Sequence, residues 1–225
     1  MFDSKNSTGI GHITLEENGD NRIVIIPGSN MAYTLKDLEE VKTFIKHAKI
    51  LVLQLEMDLK VIERAIEYAY EFKTPIILNP APANILSENI LRKVTYLTPN
   101  ESEAELLTGV KINRKEDAVK AANILIKRGV NTVVMTLGSE GALIVNKEVT
   151  KFIKGFSVEP VDTVAAGDAF NGALAFGLVQ NKSIEEAVTF ANAVGALTIT
   201  KSGAIPSIPT KEEVDMFIIE KAKQK

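Results

Sequence analysis

Four short apolar runs constrain the fold of this chain more than any other feature of its sequence. They lie at residues 50–55, 75–78, 94–97 and 132–137, and each ends in polar residues, glycine or proline. Segments with helical spacing of apolar residues separate them, so strands alternate with helices. Runs of this kind are typical of a parallel sheet that is covered by helices on both faces. The sequence therefore predicts an α/β domain.

Two β-hairpins are expected beside the parallel strands. Alternating runs at residues 10–15 and 22–26 flank Asn18-Gly19, a dipeptide that favours a hairpin turn. A second pair, at residues 141–145 and 149–153, would add antiparallel strands at one side of the sheet. Three helices would follow, near residues 166–180, 183–201 and 211–223. Capping-box spacing supports several helix starts, namely Thr34 with Asp37, Asn113 with Glu116, Ser183 with Glu186 and Thr210 with Glu213.

Composition excludes several classes of function. The 225 residues contain 26 Lys and Arg against 29 Asp and Glu, a net charge of −3, so no basic excess indicates a nucleic-acid partner. Without cysteine, the chain has no disulfide, thiol nucleophile or Cys-based zinc site. No run approaches the roughly 20 apolar residues that cross a bilayer. A cytoplasmic protein that acts on small molecules is expected.

Polar or Gly-rich segments follow the successive predicted strands. They are Gln54-Leu55-Glu56, Asn79-Pro80-Ala81-Pro82-Ala83, residues 98–103 and residues 136–141. Each one alone is ordinary turn chemistry at a strand end. Because ligands of open α/β sheets bind outside the carboxyl ends of the strands, their recurrence there favours a binding site.

The segment that leads into the helix near residue 166 has the strongest chemical signal. Ala165, Ala166 and Gly167 are small enough for a phosphate to approach free amide groups at a helix start. Asp168 in the first turn is either a carboxylate that favours the helix dipole or a base that takes a proton from a hydroxyl. The second interpretation suits phosphoryl transfer. No P-loop sequence is present.

Residues 162–168, Asp-Thr-Val-Ala-Ala-Gly-Asp, resemble the carboxy-terminal signature of the PfkB family of carbohydrate kinases. The paired alanines before Gly167 are similar to the ribokinase group of that family. The segments at residues 79–83, 98–105 and 136–141 also resemble family motifs, in the same order. The resemblance runs from about residue 7 to the end of the chain.

The resemblance implies a ribokinase-like three-layer α/β/α sandwich with a mostly parallel, Rossmann-like sheet. Residues 1–225 would form one domain, with a β-hairpin lid remnant at about 9–28 and an N-terminally truncated α/β core at about 29–225. Family members begin with a strand, a lid segment and a Gly-Gly loop that supplies most sugar contacts. No Gly-Gly dipeptide occurs here, so central strands and half of the lid are expected to be missing.

The implied activity is ATP-dependent transfer of the γ-phosphate to the primary hydroxyl of a sugar, D-ribose giving ribose 5-phosphate. Asp168 would be the catalytic base, and Glu56 and Asp168 would bind the sugar. The amides of Ala165, Ala166 and Gly167 would form the anion hole. ATP would contact the residues Asn100, Thr136, Leu137, Gly138, Ser139, Glu140, Gly141, Gly167 and Asn192.

The resemblance also implies two metal ions. Glu103 would act on Mg²⁺ through water, and K⁺ would bind beside the anion hole. The positions that match the monovalent-cation site, mostly through backbone carbonyls, are Asp162, Val164, Thr198, Lys201, Gly203 and Ser207.

Two other functions stay open. The chain could be a non-catalytic nucleotide-binding fragment that self-associates through an exposed strand edge. It could instead be a family kinase for a fructose derivative or a nucleoside, which the paired alanines disfavour. A homodimer or another homo-oligomer is expected.

Overall fold

A computed structural model of the protein describes residues 4–15 and 21–223. Its strands are β1 (Ile10–Leu15), β2 (Asn21–Ile26), β3 (Leu51–Leu53), β4 (Ile76–Leu78), β5 (Tyr96–Leu97), β6 (Thr132–Thr136), β7 (Gly141–Val145) and β8 (Thr150–Lys154). Its α-helices are α1 (Leu35–His47), α2 (Leu59–Phe72), α3 (Glu88–Leu91), α4 (Glu101–Thr108), α5 (Lys115–Lys127), α6 (Ala166–Val179), α7 (Ile184–Thr198) and α8 (Lys211–Lys223).

Strands β3 to β8 form one six-stranded sheet in the order of the sequence. The first four are parallel, with Leu51 opposite Ile76 and Leu97 opposite Val133. Strands β7 and β8 continue the sheet in antiparallel pairing. Strands β1 and β2 form a separate antiparallel hairpin. The mostly parallel sheet and both hairpins confirm the predicted fold class, and the turn at Asn18-Gly19 lies outside the described residues.

Alternate residues of the strands enter two different hydrophobic cores. Val133 and Met135 of β6 pack into the core that α1, α2, α4 and α5 cover. Val134 between them packs into the core that α6, α7 and α8 cover. Because successive strand residues point to opposite faces, the continuous apolar runs bury both faces of the sheet. This arrangement is the predicted three-layer α/β/α sandwich.

Three of the four predicted helix caps are present. Thr34 with Asp37 and Ser183 with Glu186 form complete capping boxes. The backbone amide of Glu213 donates to Thr210 Oγ1 at 3.3 Å, and the Glu213 carboxylate accepts from the Thr210 amide. The prediction for Asn113 with Glu116 was wrong. Arg114 is the N-terminal cap of α5, which places Asn113 one residue outside the helix.

The parallel strands are shorter than the apolar runs that predicted them. Strand β3 covers three residues of the run at 50–55, although Leu55 beyond it is also buried. Apolar residues therefore continue past the hydrogen-bonded ladder into the loops. No helix among the described residues is both long and apolar enough to cross a membrane.

Candidate active site

A cleft of about 800 Å³ lies at the carboxyl ends of β5 and β6, beside the start of α6. Seven of the predicted nucleotide residues line it: Asn100, Thr136, Gly138, Ser139, Gly141, Gly167 and Asn192. They come from four separate parts of the chain. Asn100 and the loop at 136–141 come together because the loops that follow neighbouring parallel strands meet at one edge of the sheet. Gly167 and Asn192 are added by α6 and α7, which pack against each other.

The loop at residues 136–141 is held by its own backbone. The Leu137 amide donates to the Gly141 carbonyl at 2.8 Å, and the Glu140 amide donates to the Leu137 carbonyl at 3.1 Å. The Thr136 amide donates to the Pro99 carbonyl at 3.0 Å, which ties the loop to the segment after β5. Leu137 is buried, and neither it nor Glu140 lines the cleft.

Gly141 is required by close contact with β8. Its φ is +103°, and a Cβ atom there would lie 2.2 Å from the Ile153 carbonyl oxygen. Gly138 also has a left-handed φ of +54°, but nothing lies within 4 Å of its would-be Cβ. The loop therefore approaches β8 closely at Gly141 and stays open toward the cleft at Gly138.

Asn100 and Glu103 form a reciprocal pair at the start of α4. The Asn100 side chain accepts from the Glu103 amide at 2.8 Å, and the two oxygens of Glu103 accept from the backbone and side-chain nitrogens of Asn100, each at 2.9 Å. Glu103 is only 8% exposed. Burial raises the pKa of Glu103 from its usual range, and the hydrogen bond from the Asn100 backbone partly offsets this effect.

The start of α6 presents free amide groups beside the cleft. Ala165 caps the helix with a left-handed φ of +62°, and the first helical hydrogen bond runs from Ala169 to Ala165. The amides of Gly167 and Asp168 precede that bond, so helix geometry gives them no acceptor within α6. The Ala166 amide has only a long contact, 3.4 Å, to the Thr163 carbonyl.

Asp168 lies on the other side of this turn from the cleft. Its side chain is exposed and lines a groove of about 350 Å³ whose walls are mainly apolar residues of α6 and α7, among them Phe176, Phe190 and Val194. Gly167 lines the cleft, and Asp168 follows it directly in sequence. The cleft and the groove therefore lie on two sides of the first turn of α6.

Glu56 is not brought into either cavity. It is exposed in the bend after β3 and does not line the cleft or the groove. The Leu55 amide beside it donates to the Ala81 carbonyl at 2.7 Å. This bond places the segment with Glu56 next to the Asn79–Ala83 loop, as expected for neighbouring strand ends.

The predicted monovalent-cation positions come from two loops that are bonded to each other. Asp162 accepts from the amides of Val164 at 3.0 Å and Gly203 at 2.9 Å. These two bonds, first that from Gly203, lower the pKa of Asp162. The Asp162 amide donates to the Ile199 carbonyl, next to Thr198. The loops at residues 161–164 and 198–207 are thereby held side by side.

Oxygen donors in this region are oriented by hydrogen bonds. Thr198 and Ser207 are fully buried, and their hydroxyls donate to the carbonyls of Val194 at 2.9 Å and Ala204 at 2.7 Å. Their oxygen lone pairs stay available, and carbonyl or hydroxyl oxygens suit a hard cation. The Lys201 side chain points away to Glu213, with a distance of 3.0 Å between Nζ and Oε1.

Two features of the site were missing from the sequence interpretation. One is the apolar wall of the cleft, to which Phe156, Val158 and Ile199 contribute. Phe156 follows Gly155 directly after β8, so an aromatic residue at a strand end was the available signal. The other is a buried contact between Thr98 and Asn171, which no local pattern indicates. Among the described residues, no cluster of three His, Asp or Glu side chains could hold a metal ion.

Comparison with known proteins agrees with the fold. The pfkB family carbohydrate kinase model matches residues 2–211. A ribokinase from Haemophilus influenzae is 39% identical over 215 residues, which are 96% of this chain and 70% of that protein. Two solved structures are similar to this chain: the Thermotoga maritima ribokinase (38% identity, TM-score 0.84) and the Arabidopsis thaliana ribokinase complexed with ribose and ATP (30% identity, TM-score 0.86). Each match covers 95% of this chain and 70% of the other chain. The chain therefore belongs to the PfkB family of carbohydrate kinases.

Proposed function

We propose that this chain transfers the γ-phosphate of ATP to the primary hydroxyl of D-ribose and gives ribose 5-phosphate. The observation that carries the proposal is the cleft in which the loop at 136–141, Asn100 and Asn192 surround a space that ends at Gly167. The similar Arabidopsis ribokinase, which was solved with ribose and ATP, supports the choice of both substrates.

ATP would occupy the cleft with its phosphates toward α6. The adenine would lie near Asn192, between the loop at 136–141 and the apolar wall with Phe156. Asn192 is buried, and its side-chain nitrogen donates to the Ile153 carbonyl at 3.2 Å, so its position is fixed. An apolar wall with a few fixed polar groups is the usual lining of a small-molecule site.

The first turn of α6 would hold the phosphoryl group in transfer. Amides of Ala165, Ala166 and Gly167 would donate to its oxygens, and the helix dipole favours their negative charge. The small side chains allow close approach. Amide groups without an acceptor inside the helix can stabilise this charge without rearranging, because the fold already orients them.

Asp168 would accept the proton of the attacking hydroxyl. The sugar oxygen forms a bond to the γ-phosphorus, the bond from that phosphorus to the β–γ bridging oxygen breaks, and ADP leaves with the electron pair. Asp168 keeps the proton until it is released to solvent. The place of Asp168 in the groove next to Gly167 supports this role. Glu56 would bind sugar hydroxyls.

The residues near Asn100 fit a magnesium ion that keeps most of its water. Glu103 offers carboxylate oxygens, but both already accept hydrogen bonds from Asn100, which favours contact through water. When bound, Mg²⁺ would neutralise charge on the β- and γ-phosphates. K⁺ would be held by the oxygens of Asp162, Val164, Thr198, Lys201, Gly203 and Ser207, in loops that Asp162 already joins.

A second candidate function is nucleotide binding without transfer. It is favoured by one contrast: seven of the predicted nucleotide residues line one cleft, whereas Glu56, expected to bind the sugar, lines neither the cleft nor the groove. A chain of this kind would bind ADP or ATP and leave the sugar in solution.

Self-association would cover apolar surface that the described fold leaves open. In β2, Val24, Ile25 and Ile26 are 60%, 52% and 55% exposed, so both faces of this strand meet solvent. Exposed apolar patches mark interaction surfaces. A second copy of the chain is the occupant we expect. A dimer mass by light scattering would support it, and a well-folded monomer would contradict it.

The test of function measures ADP release by the purified chain with ATP, Mg²⁺ and K⁺. D-Ribose, 2-deoxyribose, fructose and adenosine are compared as acceptors, and calorimetry measures ADP binding in the same preparation. We expect transfer to ribose above the other acceptors. Transfer to one of the other acceptors and not to ribose would show that the substrate is that acceptor. ADP binding without any transfer would favour the second candidate, and a folded chain that binds no nucleotide would contradict both.

A further inference from the structure

A chain of hydrogen bonds, buried at its centre, connects two of the strand-end segments to the start of α6. Asn79 after β4 donates from Nδ2 to the Thr98 carbonyl at 3.1 Å. The Thr98 hydroxyl donates to Asn171 Oδ1 at 2.6 Å, and Asn171 Nδ2 donates to the Gly167 carbonyl at 2.9 Å. We name Asn79, Thr98, Asn171 and Gly167 the relay.

The centre of the relay lies inside the protein. Thr98 is 1% exposed and Asn171 is 4% exposed. The two residues are 73 positions apart in sequence, and Asn171 lies one turn after Gly167 in α6. Its amide has one fixed orientation, because the nitrogen must face the Gly167 carbonyl for the oxygen to face the Thr98 hydroxyl. Buried hydrogen bonds are stronger than exposed ones and hold their partners in place.

The relay ends on the peptide group that precedes Asp168. The Gly167 carbonyl and the Asp168 amide belong to one planar peptide unit, so a bond to the carbonyl orients the amide. A hydrogen bond to the carbonyl also polarises the unit and makes its N–H a stronger donor. That amide has no acceptor within α6. It follows Gly167, which lines the cleft, and it would add one donor to the amides of Ala165, Ala166 and Gly167. Away from α6, the relay residue Thr98 is followed in sequence by Pro99 and then by Asn100, the N-terminal cap of α4.

We propose that Asn171 and Thr98 are positioning residues of the transfer site. They fix the orientation of the peptide unit between Gly167 and Asp168. They also fix its position relative to Asn100, which follows β5. The inference rests on the proposed function, since it assigns the unit to the γ-phosphate side of the cleft. It goes beyond that function by naming residues that contact neither substrate.

Asn171→Leu is the central test because it removes the relay and leaves no buried polar atom without a partner. Thr98 Oγ1 lies 3.3 Å from the Leu78 carbonyl and can donate there instead. The Gly167 carbonyl still accepts the helical hydrogen bond from the backbone amide of residue 171. Thr98→Val breaks the same contact, and Thr98→Ser keeps the hydroxyl. Thr74→Val is the matched control: its buried hydroxyl donates to the Ile45 carbonyl, outside the relay.

The first measurement is the ratio of two affinities by calorimetry, that of the β,γ-imido analogue of ATP and that of ADP. In Asn171→Leu we expect the analogue to lose about tenfold in affinity, the effect of a single lost charge-assisted contact, while the ADP affinity stays within about twofold. Thr98→Ser and Thr74→Val should keep the wild-type ratio. An unchanged ratio in Asn171→Leu would overturn the positioning role of the relay and leave the proposed function standing. A wild-type chain that binds neither nucleotide would overturn the proposed function as well.

The second measurement needs no nucleotide. The ¹⁵N resonance of the Asp168 amide reports on hydrogen bonding at the carbonyl of the same peptide unit. We expect it to shift in Asn171→Leu and Thr98→Val, and to keep its position in Thr98→Ser and Thr74→Val. Equal resonances in all five proteins would overturn the relay even if the enzyme turned over. If Thr98→Val fails to fold, Asn171→Leu against Thr74→Val still decides the result.

Discussion

The carboxylate of Asp162 accepts a hydrogen bond from the backbone amide of Gly203 at 2.9 Å, across 41 positions of sequence. A second bond, from the Val164 amide, uses the other oxygen. One side chain therefore joins the loop before α6 to the loop after α7. The predicted cation positions depend on this junction, which makes Asp162 a structural residue of the site before any ion binds.

Asp162→Asn should lower the stability of the chain at neutral pH. The two amide bonds lower the pKa of Asp162 below its ordinary value of 3.8, so the ionised form favours the folded state. This contribution is present above pH 3.8 and is lost as the pH falls through the lower folded-state pKa. Urea midpoints across this range should differ between wild type and variant at neutral pH and converge in acid. Glu159→Gln, an exposed carboxylate in the same loop, is the control; a difference that does not change with pH would contradict the prediction.

Glu103 should give the opposite pH dependence. Burial raises the pKa of Glu103 above 4.5, so the folded chain binds this proton more tightly than the unfolded chain. Its contribution to stability is greatest below pH 4.5 and declines as the pH rises through the folded-state value. Glu103→Gln should remove this slope in urea unfolding, whereas Glu101→Gln at an exposed position of the same turn should keep it. A slope that persists in Glu103→Gln would show that another group causes it.

Gly141→Ala and Gly138→Ala form a matched pair in the loop at 136–141. Both positions have a positive φ, which an alanine adopts only with strain, at a cost of about 1–3 kcal/mol. At Gly141 the added Cβ would also meet the Ile153 carbonyl at 2.2 Å, for a further cost of about 1–3 kcal/mol. Denaturant midpoints should therefore fall more for Gly141→Ala. Equal losses would mean that contact with β8 does not constrain the loop.

Ala165→Gly should stabilise the chain. Ala165 has a φ of +62°, and removing its side chain relieves about 1–2 kcal/mol of backbone strain. The greater freedom of glycine in the unfolded chain takes back about 0.5–1 kcal/mol. The neighbouring control, Ala166→Gly at the first helical position, has no such strain to relieve and should destabilise by about 0.5–1 kcal/mol. Thermal unfolding of the pair measures the difference, and a loss of stability in Ala165→Gly would contradict it.

The fold could be predicted from sequence because its signals are local, whereas the residues that line the cleft were expected only from the family resemblance. Apolar runs such as residues 132–137 mark buried strands, and caps such as Ser183 with Glu186 mark helix starts. The relay could not be predicted, because Thr98 and Asn171 meet only after β5 and α6 have packed. The helix cap predicted at Asn113 lies one residue before the observed cap, Arg114. A sequence pattern cannot detect this error without the backbone conformation.

The sequence also did not show on which side of the first turn of α6 Gly167 and Asp168 lie. Gly167 and Asp168 are neighbours, yet one lines the cleft and the other lines the groove. Helical rotation of about 100° per residue separates them. This separation suits a site in which nucleotide and acceptor approach one turn from two sides.

The most direct test of the central claim is the Asp168→Asn variant, with Glu220→Gln at an exposed position of α8, outside the cleft and the groove, as its control. If Asp168 is the base, phosphoryl transfer from ATP to ribose should fall by about 100- to 10,000-fold in a coupled assay. ADP affinity by calorimetry should stay within about threefold of wild type, since the substitution leaves the cleft intact. Transfer at the wild-type rate in Asp168→Asn would contradict the account.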